Sequence, residues 1–437
     1  MTQKITRPEI SPDVQMAWRN VWRNPRRTWL TVSAICFACI VLIFMLSFQF
    51  GSYETMINSS VKINTGHLQV QAEGYFEKRT MRRVIPDPGP VIKMIEGIEA
   101  VEAVTVRANA FSLVSSAGRT YGAMVIGIDP EREKDVSTLA DLIRKGNFLP
   151  SEPVSVDVSG ELSGESPEKS SGALVGALLA RNLNVGVGDE LTLLGQGRDG
   201  SVAATIGRVC GIYESGIDEF DRNTLQIPIQ IFQSLYSMDD AVHEIVINVR
   251  SLHEVAAVKQ EIIRRITAMP EAEDLVVMDW DELMPGLTQA ILIDLTMGII
   301  FWFLLVLVVA FSILNTFLMA VFERTREFGV MMAIGMSPNR LVKLLVYESG
   351  LMTLIGIGLG ILIGCGITWI FQAYGIDMAK SSEILAQYGI SGRIYPQLSL
   401  ITAFAGPLLV WVITIAVALY PAMKIRKLKP VEAMVHV

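Results

Sequence analysis

The sequence predicts a helical membrane protein: four transmembrane helices, with one large α+β extracytoplasmic domain placed between the first and second spans. Three observations carry that expectation. Hydrophobic residues make up 51% of the 437, more than an ordinary soluble domain carries. They concentrate in four runs, 29–50, 290–322, 341–371 and 398–421, each at or above the roughly 20 residues that a helical span needs. Between the first and second runs lie about 240 residues of ordinary soluble composition, 51–289, enough for a substantial domain.

Residues 1–28 precede the first run. Within them, VQMAWRNVWRN (Val14 to Asn24) places Val14, Ala17, Trp18, Val21 and Trp22 on one helical face, with Arg19, Asn20 and Arg23 opposite. Tryptophan and arginine on an amphipathic helix suit the headgroup layer, so Trp18, Arg19, Trp22 and Arg23 are the expected interfacial residues. Asn24-Pro25 should break that helix before the span. The first run is longer than a usual signal-peptide core and leads into SFQFGSYETM without an A-x-A pattern, so a retained anchor is expected.

Orientation follows from the charges. Segments 1–29, 323–343 and 424–437 together hold 14 Lys+Arg against 5 Asp+Glu, a balance of +9, whereas the whole chain is −7, leaving −16 for the remainder. Lysine and arginine mark cytoplasmic segments. Both termini (1–28 and 422–437) and the 323–340 loop are therefore expected in the cytoplasm, and the acidic domain outside. That acidity argues against a nucleic-acid partner.

In the 51–289 domain, strands are expected at His67–Val70, Val101–Val114 and Tyr121–Ile128, with a turn at Ala117-Gly118 and a short helix over Pro90–Gly97. A second strand–helix–strand set covers Glu244–Val249, Leu252–Met269 and Leu275–Met278. Residues about 135–240 between them look like an insertion rich in short strands. PSEPVSVDVSGELSGESPEKSSG, Pro150 to Gly172, should be a flexible loop, and the tyrosine-containing loop 372–397 should lie at the outer membrane surface. The third run contains GIGLGILIGCG, Gly356 to Gly366; small residues at that spacing favour close helix packing.

Several chemistries are absent. No G-x-x-x-x-G-K-[ST] occurs, so nucleotide hydrolysis by a P-loop is excluded for this chain, and no G-x-S-x-G or H-E-x-x-H appears. Cys36 and Cys39 form a C-x-x-C, but within the first span, where packing explains them better than redox work. The four histidines lack metal-ligand spacing. An intramembrane carboxylate raises a proton-path reading by default. Glu348, alone in the third run, is weighed equally as a residue that snorkels or binds a partner helix, and Asp294 begins the second span.

The stretch AVFERTREFGVMMAIGMSPNRLVKLLVYESGLMTLIGIGLGILIG, Ala320 to Gly364, resembles the core signature of the FtsX/MacB-like permeases, the type VII ABC transporters. Glu323, Arg324, Glu327, Gly329, Ala333 and Gly335 match its pattern. AWRNVWRNPRRTWLT (Ala17 to Thr31) and LYPAMKIRKLKPVEAM (Leu419 to Met434) resemble the family's opening and closing motifs. GALVGALLARNLNVGVGDELTL (Gly172 to Leu193) and VCGIYESGIDEFDRNTLQIPI (Val209 to Ile229) look like the external signatures of the lipoprotein-releasing LolC/LolE branch.

The resemblance implies that 323–340 is a cytoplasmic coupling helix docking on a separate ABC ATPase subunit, present in two copies. Its contacts would be Glu323, Arg324, Arg326, Glu327, Gly329, Met331, Met332 and Gly335. Bottom-up, the charges suit polar docking, Val330, Met331, Met332 and Ile334 offer a soft apolar face, and Gly335 suits a helix end. The resemblance further implies a second permease copy (homodimer or related heterodimer), a lipoprotein or other acylated cargo, and a periplasmic carrier. ATP and Mg²⁺ would sit in the partner ATPase, with no cofactor or metal on this chain. Location would be the bacterial inner membrane. An acyl chain needs apolar cover, which Phe44, Phe48, Phe50, Tyr53, Leu287, Ile291 and Leu292 would supply at the outer ends of the first two spans. A signalling permease that regulates an external enzyme, or an exporter of a peptide or macrolide, is the alternative expectation.

Overall fold

The computed structural model describes residues 12–150, 171–269, 272, 274–377 and 393–425. The stretch expected to be a flexible loop (apart from its ends), most of the 372–397 loop and the tail from 426 lie outside those residues. Two compact units result: a helical one (1–53, 290–377, 393–437) and a sheet unit (54–289 with 378–392).

Two helices open the chain, α1 (Pro12–Arg23) and α2 (Pro25–Ser60), the latter followed by a π-helical turn over Val61–Thr65. Asn24-Pro25 separates them, and the Thr28 hydroxyl donates back to the Val21 carbonyl at 2.5 Å, satisfying an acceptor that the break leaves over. With 36 residues, α2 is about 54 Å long, well beyond the ~30 Å hydrocarbon core.

The sheet unit then runs β1 (Leu68–Ala72), α3 (Gly89–Glu96), β2 (Val101–Ser116), β3 (Arg119–Ile128), α4 (Pro130–Val136) and β4 (Ile143–Gly146). It continues with β5 (Ser171–Gly176), α5 (Ala177–Leu183), β6 (Glu190–Gln196), β7 (Val202–Tyr213), α6 (Asp218–Asn223), β8 (Thr224–Pro228) and α7 (Ile229–Leu235). It closes with β9 (Glu244–Val249), α8 (Val255–Thr267), β10 (Leu275–Asp279) and α9 (Trp280–Leu283). All of the strands belong to one sheet ordered β10-β1-β9-β2-β3-β8-β5-β7-β4, with β6 on β2 and β7. The 135–240 segment therefore extends the sheet of its neighbours; β8 pairs parallel to β3 and β6 antiparallel to β2.

Pattern explains the pieces. In the β2–β3 hairpin, Ala117 and Gly118 both have positive φ, 46° and 82°, the geometry of a two-residue turn matched to strand twist. Along α8, Val255, Val258, Ile262 and Ile266 form one buried stripe; with α3 they cover Leu68 and Val70 of β1 and Ile245 and Ile247 of β9. A second apolar cluster joins Ala108, Val114, Val125, Leu193 and Leu225 to α5 and α7. Strand alternation and register put both clusters on one sheet face.

The helical unit resumes with α10 (Pro285–Glu323), α11 (Thr325–Ala333), α12 (Pro338–Tyr374), the two-residue strand pair β11 (Ile376–Asp377) and β12 (Arg393–Ile394), and α13 (Leu400–Ile425). Among the described residues, α2, α10, α12 and α13 are the helices long and apolar enough to cross a membrane. Val32, Ile35 and Leu42 of α2 pack with Val306, Ile313 and Phe317 of α10, Met352 of α12 and Val410 of α13. Every fourth residue of α12 from Gly356 to Gly364 meets α2. A Cβ on Gly356 would stand 2.8 Å from Ile35, one on Gly360 2.5 Å from Cys39, and one on Gly364 3.2 Å from Ile40. Cys39 is buried in this seam and all four cysteines are free, in keeping with a packing role.

That seam gives a contrast within two residues. Gly360→Leu must displace α2 and should lower the thermal midpoint of the detergent-solubilised chain, at ~1–3 kcal/mol or more of overpacking cost. Gly358→Leu meets nothing within 4 Å and should leave the midpoint unchanged; equal effects from the two would refute the α2–α12 contact.

Candidate coupling site

The sequence between α10 and α12 builds a short helix because it is bounded on both sides. Arg324 leaves helical geometry at φ −104°, Gly335 turns the chain at φ 104°, and Pro338 starts α12 behind Ser337, where proline is preorganised. Helix α11 then divides its residues. Phe328 is buried with Val321 and Leu341, and Met331, Met332 and Met336 pack against them. Outward lie Glu323, Arg326, Glu327 and Val330, with Ile334 at 82% exposure. Within α11, Arg326, Glu327 and Val330 share a face at three- and four-residue spacing, with Glu323 just before the helix and Ile334 just after it, so the outward stripe is charged at the start and apolar at the end.

Buried charge fixes which way that stripe faces. Glu348 of α12 has a side chain only 4% exposed. It accepts from Arg324 Nη1 at 3.1 and 3.3 Å and from Arg27 Nη2 of α2 at 3.1 Å. Arg324 also donates through Nε to Glu327 at 3.2 Å, and Glu327 accepts from Arg23 of α1. Arg340 at the start of α12 forks onto Asp13 of α1 at 2.9 and 3.0 Å. Three helices, α1, α2 and α12, are thus tied around α11.

Two expectations change. Glu348 is not an isolated carboxylate: it is buried between two guanidinium groups from other elements, as the partner-helix reading has it, and the proton-path reading is left without support. Arg324 and Gly329 are buried and Met331 and Met332 half-buried, so those four face the bundle. Burial would raise the Glu327 pKa, but the bonds from Arg23 and Arg324 outweigh it and hold the carboxyl below its ordinary range.

The amphipathic α1 buries Ala17 and Val21 and leaves Trp18 and Trp22 exposed with Arg19 and Arg23. Trp18, Trp22 and Trp29 contact edge-to-face at 5.9 and 6.3 Å. At the far end of α2, Phe44 stacks on Phe48 and meets Phe371 of α12 at 5.5 Å, so this pair is committed to the bundle. Phe50 and Leu292 stay exposed, at 40% and 54%. Ile291 and Leu287 are half-buried, and Leu287 belongs to the sheet unit. The sequence reading missed a polar clasp here: Tyr53 donates to Asp294 at 2.7 Å and Gln49 Nε2 to the same carboxylate at 3.1 Å. The signal was present, since an ionisable group in an apolar run calls for a partner.

These features define a class: a chain with four helices long and apolar enough to cross a membrane, a short helix with an exposed stripe between two of them, and a large sheet domain joined in sequence. The chain matches the MacB-like periplasmic core domain over residues 28–265 and the FtsX-like permease C-terminal domain over 299–430. It belongs to the FtsX/MacB-like permeases, the type VII family of ABC transporter membrane proteins. It is 22% identical over 422 residues to the lipoprotein-releasing system transmembrane protein LolC of Neisseria meningitidis serogroup B, covering 93% of each chain. It is 24% identical to the macrolide export ATP-binding/permease protein MacB of Vibrio parahaemolyticus over 96% of this chain and 59% of that one. Among solved structures, the periplasmic region of MacB from Actinobacillus actinomycetemcomitans aligns with a TM-score of 0.36 and 14% identity, over 53% of this chain and 97% of that one.

Removing the buried carboxylate should be far worse than removing the exposed one. Glu348→Gln leaves Arg27 without an ion pair among the described residues and Arg324 with Glu327 alone, and should cost ~3–5 kcal/mol; Glu327→Gln, at an exposed pair, should cost below ~1 kcal/mol. Thermal melts of the purified variants measure both. The Glu327 contribution also has a pH sign. Because its folded pKa is lowered, its stabilisation is present at neutral pH and is lost as pH falls through that lowered value. The difference in melting temperature between wild type and Glu327→Gln should therefore shrink on acidification.

Proposed function

We propose that this chain is the permease subunit of an ABC transporter that extracts a lipoprotein or other acylated cargo from the inner membrane. Two permease copies, identical or related, work with two copies of a separate cytoplasmic ATPase that binds ATP and Mg²⁺. In this reading both termini and α11 are cytoplasmic, the sheet unit is periplasmic, and a periplasmic carrier receives the cargo. The chain itself needs no cofactor. The observation that carries the reading is the outward stripe of α11, Glu323, Arg326, Glu327, Val330 and Ile334, held by ion pairs on its inner side. Likeness to LolC along nearly the whole of both chains supports the lipoprotein assignment.

Docking would bury Val330 and Ile334 and pair the charges, with α11 carrying the motion of the ATPase into α10 and α12. Both helices exceed the bilayer core: 39 and 37 residues correspond to about 58 and 56 Å. Acyl chains would be covered near Phe50 and Leu292, exposed apolar residues on α2 and α10.

Val330→Asp with Ile334→Asp should reduce co-purification of the ATPase at least tenfold while membrane insertion persists, because neither side chain packs inward. Undiminished co-purification would sink the coupling assignment. For the cargo, photocrosslinkers at Phe50 and Leu292 should capture acylated protein in cells. Capture of a soluble, unacylated partner alone would favour the signalling or peptide-export reading, which the likeness to MacB keeps in view.

A further inference from the structure

The sheet unit has a second face. Across β1, β9 and β2, register places Gln71 beside Glu244 and Glu244 beside Arg107, while Asn109 follows two residues on. These side chains oppose the apolar clusters, and all of them are buried or nearly so. Gln71 and Glu244, with Asn109, floor a cleft of about 380 Å³ walled by Phe76, Phe220 and Met284, a size typical of small-ligand sites.

Its charges do not balance internally. Glu244 is 8% exposed; Asn109 Nδ2 donates to its Oε1 at 2.9 Å, and it forms no ion pair among the described residues. A buried carboxylate without a cation is costly. Two cations act on it without bonding to it, Arg107 and Arg79. Arg107 is held by Glu133 through bonds of 2.6 and 3.2 Å and by Asn64 at 3.1 Å. Arg79 lines the cleft at its exposed rim and makes no ion pair among the described residues. His243 is neutral, its pKa drawn down by burial to about 4. A second observation is independent of charge: Gln71 is 1% exposed and its Oε1 has no hydrogen-bond partner among the described residues, a deficit that native structures rarely carry. The floor thus offers acceptors in excess of donors, beside apolar walls.

We propose that this cleft binds an alkylammonium group, its charged head meeting Glu244 and the Gln71 amide oxygen and its methylene stem lying along Phe76, Phe220 and Met284. The cationic head answers the unpaired carboxylate, and the stem matches walls that a bare metal cation would leave dry and unfilled. Lysine side chains of a polypeptide and free diamines share this chemistry. The site lies wholly within the sheet unit and is separate from the α11 surface, so neither depends on the other.

The test uses the full chain in maltoside micelles and saturation-transfer NMR with n-butylammonium as probe, against n-butanol and butyrate. Butylammonium should bind, with the two controls at least tenfold weaker, and Glu244→Gln should weaken it at least tenfold. Met284→Trp, which fills the cleft from its wall and leaves the carboxylate in place, should abolish binding and decides the matter if Glu244→Gln does not fold. Comparing N-acetyl-lysine-methylamide with putrescine then assigns the source, the tighter ligand naming polypeptide or diamine. Equal binding of butanol, preference for butyrate, or undiminished binding by folded Glu244→Gln or Met284→Trp would overturn the proposal.

Discussion

Glu348 sits well inside an apolar helix, where an ionised carboxylate persists only beside a cation. It has two, Arg27 from the start of α2 and Arg324 from the joint between α10 and α11. Planar guanidinium groups bond at fixed angles, so the position of α11 is set by its inward residue rather than by its outward ones. If α11 rolled about its axis, Arg324 would leave Glu348, and that buried carboxylate would keep Arg27 alone. The stripe from Glu323 to Ile334 is therefore presented in one orientation. The proposed coupling role needs that, because a partner's force would reach the spans only through a contact that does not turn. Arg23 and Asp13 extend the same restraint to α1 through more exposed pairs, which contribute less each.

Packing within the helical unit is uneven in a way that suits such a lever. The glycines of α12 bring its backbone onto α2, with an approach to Cys39 that leaves no room for a side chain, and van der Waals contact of this kind is what holds membrane helices together. Helix α10 is different: only 11% of its most apolar window is buried, and Ile300, Phe301, Leu304, Val308 and Phe311 all stand exposed. The α2–α12 pair is thus the fixed element. Helix α10, joined to α11 at Glu323, has fewer neighbours to hold it and more freedom to shift.

Much of this was legible in the sequence, and the reasons differ by part. The four spans announce themselves because length and apolar run are local properties. Strands at 101–128 and 244–249 and the α8 helix followed from alternation and from a three-to-four spacing. The glycine seam was visible as a pattern, though its partner helix was not. What failed was orientation. ERTREFG shows which residues are charged but not which turn inward, and Arg324 was assigned to the surface because its partner Glu348 lies on another helix. Likewise nothing local indicates that β8 would pair with β3 across nearly a hundred residues, so the 135–240 segment read as an insertion when its strands continue one sheet.

The two faces of that sheet show why pairing could not be read strand by strand. LQVQA in β1 alternates as a half-buried strand would, apolar in and polar out, and the ordinary inference is that Gln69 and Gln71 meet water. Both are instead buried, at 5% and 1% exposure, with Thr105, Arg107, Asn109 and Gln226 on the same face. Some of that polarity is satisfied: Arg107 holds Glu133 and Asn64, tying α4 and the π-helical turn to the sheet. Some is not, since Thr105 Oγ1, Gln71 Oε1 and Gln226 Oε1 have no partner among the described residues. An apolar face would have covered the same area without those deficits. The polar row therefore does not derive its place from stability, and the region where it opens into a cleft is the site proposed above for an alkylammonium group.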